Sequence, residues 1–90
     1  MFRYRSGIKV DYDRQGYIYF TSRLFDELSY RDKQKIRQLC DKCAGKDAPA
    51  LLEYVTRDTT ATSVCMKYYI SKSTLYRSVR KYYENFPDKL

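Results

Sequence analysis

The chain has 90 residues, with 18 Lys and Arg against 11 Asp and Glu and no histidine, for a formal charge of +7. That length favours one domain, and it rules out a large core, because a chain this short buries only about 60–65% of the surface its unfolded form exposes. With no histidine, no glycine-rich phosphate loop and no acidic cluster at metal-ligand spacing, the chain is expected not to be an enzyme.

Residues 7–23 read as a β-hairpin. Ile8, Val10 and Tyr12 alternate with polar neighbours, and Tyr17-Ile18-Tyr19-Phe20 is rich in aromatic and branched side chains. Between them Asp13-Arg14-Gln15-Gly16 supplies turn chemistry, with Asp11 and Asp13 flanking the turn. Leu24, Phe25 and Leu28 follow as a short apolar bridge the length of a helical turn. A two-stranded hairpin is marginal alone. Its expected role is to close the helical core and contribute to a dimer contact. It could instead set Arg3, Arg5, Lys9 or Arg14 against a nucleic-acid backbone as a wing, or dimerise through Tyr17, Tyr19 and Phe20.

Ser29 has the look of a helix N-cap, with an acid three residues on at Asp32. Ile36, Leu39, Cys40 and Cys43 then recur at helical spacing as one apolar stripe, and Gly45 is a natural stop. Cys40-Asp41-Lys42-Cys43 is a CxxC, but zinc needs two further ligands and the chain offers only Cys65 beyond the pair. Buried thiols on the stripe are the expected reading, and neither a metal nor a cofactor is expected. The odd cysteine count and the lack of a recognisable signal peptide point to a reducing, cytoplasmic setting. No apolar run approaches the length of a membrane span.

A second helix is expected from Asp47, as cap, to Arg57, with Leu51, Leu52 and Val55 inward. Thr59-Thr60 caps a third, Ala61 to Tyr68, and Ser71 caps a fourth from Lys72 to about Phe86, ahead of Pro87. The predicted fold is therefore mainly α within an α+β class. One domain over 1–90 carries a hairpin and bridge (1–28), two support helices (29–58) and a helix pair (59–86).

The charge excess is uneven. Residues 60–90 hold six Lys and Arg against two acids. A localised basic surplus favours a polyanion partner, or simply a solvated surface. Within this segment Ile70-Ser71-Lys72-Ser73-Thr74-Leu75-Tyr76-Arg77 begins a helix with a hydrophobic residue, a serine, and a basic and polar pair. Residues 60–79 thereby resemble the helix-turn-helix of bacterial regulators, of the TetR, resolvase and small sporulation-regulator types. Cys65 stands where that family usually has a small alanine at the helix crossing. Tyr69 departs from the family's frequent glycine, at a point where the chain turns left-handed.

The resemblance implies double-stranded DNA as the partner. The start of the last helix would then reach base edges, through Lys72, Ser73, Thr74 and Arg77. Thr60, Thr62, Lys67, Ser71, Tyr76, Arg80 and Lys81 become candidates for phosphate contacts. A solvated helix face is the competing reading for each cation. Leu75, Val79, Tyr82 and Phe86 should pack inward. The function implied is a sequence-specific transcriptional regulator, or an accessory factor of a phage or mobile element, acting as a homodimer in the bacterial cytoplasm. The alternative is a protein-interaction module of similar origin. It would meet an acidic protein partner, or block a host nucleic-acid enzyme, through the basic, tyrosine-rich surface.

Overall fold

A computed structural model describes residues 2–90. Five α-helices carry it: α1 (Tyr12–Arg23), α2 (Tyr30–Ala44), α3 (Ala48–Thr56), α4 (Ala61–Tyr68) and α5 (Lys72–Asn85). Single 3-10 turns at Phe25–Glu27 and Gly45–Asp47 separate the first three. Among the described residues there is no strand.

The expected hairpin, and with it the α+β class, is therefore corrected. Residues 2–11 form an irregular arm, and the supposed turn lies inside α1. Asp11 is the N-cap of that helix, its Oδ1 accepting from the Arg14 N–H at 2.8 Å, and Asp13 sits in the first turn. Gly16 is a mid-helix residue against the Phe2 ring. Gln15 is fully buried and binds the arm to the helix. Its Oε1 accepts from the Arg5 N–H at 2.8 Å, and its Nε2 donates to the carbonyls of Arg5 and Val10 at 3.0 and 2.9 Å. The wing expectation falls with the hairpin. Arg14 is committed to the carbonyls of Phe86, Pro87 and Asp88, so it ties α1 to the segment after α5.

The later elements follow their sequence signals. Ser29 caps α2 by accepting from the Asp32 N–H at 3.2 Å, and Gly45 ends that helix at φ 56°. Ile36, Leu39, Cys40 and Cys43 are its buried stripe. Asp47 occupies the cap position of α3 without a side-chain bond, and Pro49 sits in the first turn, where a missing N–H costs nothing. Leu51 and Val55 face inward and Leu52 is half-buried. Thr60 and Ser71 cap α4 and α5 by accepting from the Ser63 and Thr74 N–H groups, both at 3.1 Å.

One cluster of side chains forms the core, centred on Ile18, Ile36, Leu51, Val64, Leu75, Val79 and Tyr82. α1 joins it through Ile18 and through Ser22. The Ser22 hydroxyl donates to the Ile18 carbonyl at 2.7 Å and so must accept from the Tyr82 hydroxyl, also at 2.7 Å. No helix is long and apolar enough to cross a membrane.

Candidate nucleic-acid interface

α4 and α5 meet through a tight left-handed turn. Tyr69 takes φ 57° and ψ 45°, the only positive φ at a non-glycine among the described residues. The Ile70 N–H then reaches back to the Cys65 carbonyl at 3.1 Å, the six-to-one bond that closes a Schellman cap. Cys65 is buried, in the same core cluster as Val64, Leu75 and Val79. Tyr68 and Ile70 are half-buried at the rim.

α5 divides cleanly between its faces. Leu75, Ser78, Val79, Tyr82 and Tyr83 are buried, as is Phe86 just past its end. Lys72, Ser73, Tyr76, Arg77 and Arg80 are exposed, and their spacing sets them side by side on one stripe. Among the described residues Lys72, Arg77 and Lys81 make no ion pair, whereas Arg80 pairs with Glu84 at 3.5 Å. The stripe also borders a groove shared with the arm, lined by Arg5, Gly7 and Ile8 on one side and Ser73, Tyr76, Arg77 and Arg80 on the other. The Arg5 guanidinium lies 5.6 Å from the centre of the Tyr76 ring.

Other nominated residues are occupied within the protein. Thr74 is half-buried, and its Oγ1 accepts from the Ser71 hydroxyl at 2.9 Å, so it faces the turn rather than the stripe. Ser71 and Thr60 are spent as helix caps, while Thr62 is exposed in the first turn of α4. Lys67 is bound to Glu53 at 2.8 Å, and Tyr68 donates to the same carboxylate oxygen at 2.9 Å. The Lys67 hydrogen bond, and after it that of Tyr68, hold the Glu53 carboxyl below its ordinary value. The same pair raises the lysine. A phosphate approaching Lys67 must compete with that carboxylate. Lys81 is exposed one turn beyond Arg77, at the edge of the stripe.

The CxxC thiols are buried. Burial first, then the neighbouring Cys43 and Asp41, pushes Cys40 up to about 12, and burial raises Cys43 against the pull of Lys42 and Lys81. Both are protonated at neutral pH and poor nucleophiles.

Sequence reasoning missed the arm. Arg5 reaches the α5 stripe only because Gln15 pins its backbone, and no local pattern announces that bond. No protein family, curated protein or solved structure matches the chain, so the site is read from its own geometry.

Proposed function

We propose that this chain is a small helix-turn-helix protein that binds double-stranded DNA. It would act as a sequence-specific transcriptional regulator or as an accessory factor of a phage or mobile element. One observation carries the reading. The outer stripe of α5 presents Lys72, Ser73, Tyr76 and Arg77 together, with no acid in the first two turns, directly after a left-handed turn from α4. Arginine and lysine at the start of such a helix are suited to guanine O6 and N7, and the serine hydroxyl to most bases. Thr74 leaves the list of base-edge candidates on this reading, because its hydroxyl is engaged with Ser71. Thr62, Tyr76, Arg80 and Lys81 remain for phosphates.

The test begins with selection of bound duplexes from a randomised pool at near-physiological salt. An enriched motif with two-fold symmetry would show a dimer and give the half-site spacing. Arg77→Glu is then expected to cost at least about 1–3 kcal/mol of binding to the winning duplex, with the helical spectrum unchanged. Undiminished binding by a folded variant would remove α5 from the interface.

A second reading, docking to a protein partner, draws on Met66 and Tyr69. They are 72% and 94% exposed at the same corner. Large apolar side chains left open beside a basic helix suit an acidic protein surface with an apolar centre. Enrichment of no duplex in the selection would favour it.

A further inference from the structure

Beside the α5 stripe lies a second basic feature, a cleft of about 180 Å³ between the arm, α1 and the link from α3 to α4. Four arginines line it: Arg3 and Arg5 from the arm, Arg23 from the end of α1 and Arg57 from the link. Asp58 is the one acid in the lining, and it lies 3.6 Å from Arg23. Asp26, outside the cleft, holds Arg57 at 2.7 Å. Arg3 and Arg5 have no acidic partner among the described residues.

Two of the guanidiniums are held in place by tyrosines. Arg5 donates to the Tyr54 hydroxyl at 2.6 Å, and its backbone is fixed by Gln15 on both the N–H and the carbonyl. Arg23 donates to the Tyr19 hydroxyl at 2.8 Å and lies over that ring. Asp58 and Asp26 offset Arg23 and Arg57, which leaves Arg3 and Arg5 without an acid in the cleft, and guanidinium is the side chain best matched to phosphate oxygens. The volume falls below the range of pockets that take drug-sized ligands, so a single phosphate group suits it better than a small organic effector. Arg5 lines both this cleft and the α5 groove, which makes the two adjacent.

We propose that this arginine cleft is a phosphate-binding site, and that its phosphate is one of the DNA backbone flanking the groove that α5 enters. The source of the phosphate rests on the DNA-binding reading, while the chemistry of the cleft does not.

The experiment is a salt titration of affinity for the selected duplex, with wild type, Arg3→Ala, Arg57→Ala and Arg77→Ala. Arg3 and Arg57 are exposed, and retained helical signal and melting temperature confirm that their variants fold. Each cleft variant should weaken binding to all sequences alike and reduce the salt slope by about 1, with base preference kept. Arg77→Ala should instead relax the preference. Slopes unchanged in both cleft variants overturn the proposal, even where Arg77→Ala behaves as expected. If wild type binds no duplex, the DNA reading fails and inorganic phosphate decides the cleft. Shifts in the Nε–Hε resonances of Arg3, Arg5, Arg23 and Arg57 would then support a site for free phosphate, and their absence would overturn it.

Discussion

Tyr69 combines two properties that seldom occur together, a left-handed backbone and a side chain that is 94% exposed. The strain is set by the turn, since the Schellman bond from Ile70 to Cys65 requires the residue between to turn left-handed. No buried contact of the ring repays it. Tyr69→Gly is therefore expected to stabilise the fold by about 1 kcal/mol, read as a higher denaturant midpoint at unchanged slope. A loss of stability would mean that the tyrosine ring supports the turn. Strained, exposed residues concentrate where function needs them. The same variant should thus be carried into the duplex assay, where greater stability with weaker binding would put the ring in the interface.

At the scale of elements, α1 is where sequence and structure part. Its buried positions are Gln15, Ile18 and Ser22, at three- and four-residue spacing, but two of the three are polar. Its aromatic residues Tyr12, Tyr17 and Phe20 face outward. The helical period is present and carried by the wrong chemistry, so it is invisible to a search for apolar stripes. Strand preference for tyrosine, isoleucine and phenylalanine reflects packing on half-buried surfaces and decides nothing on its own. α2 to α5 were legible because their stripes are apolar and their ends carry Ser29, Gly45, Thr60 and Ser71. The exposed stripe of α5 was legible for the same reason. The arginine cleft was not, because its members stand at positions 3, 5, 23 and 57 and only the folded chain brings them together.

Gly16 discriminates between the two readings of this segment. In a hairpin turn with positive φ, Gly16→Ala would destabilise. In α1 the backbone is helical, and an added Cβ would meet the Phe2 ring at 3.6 Å, an ordinary contact. Alanine should therefore stabilise by about 0.5–1 kcal/mol, measured by chemical denaturation.

For the molecule as a whole, the cost of a core built with tyrosine and cysteine appears at alkaline pH. Tyr82 is completely buried and its phenol is raised far above the ordinary value, chiefly by burial. Burial takes Tyr83 up to about 12 despite the pull of Arg5, and Cys40 likewise to about 12. All three groups are neutral when protonated, so a raised folded value means that the native state holds protons more tightly than the unfolded chain. Their stabilising contribution is complete below the unfolded values of 9.0 for the thiol and 10.0 for the phenols, and it is lost as pH rises through the folded ones. The melting temperature should be level near neutrality and fall steadily above about pH 9. Phenolate absorbance should separate into two phases. Tyr82 and Tyr83 should ionise only in the later phase, as helical signal is lost. In Tyr82→Phe, Ser22 keeps its bond to Ile18, so the neutral-pH cost should be about 1 kcal/mol and the alkaline decline shallower. If all eleven phenolates formed in one phase while the helices persisted, Tyr82 would not be buried against Ser22 of α1.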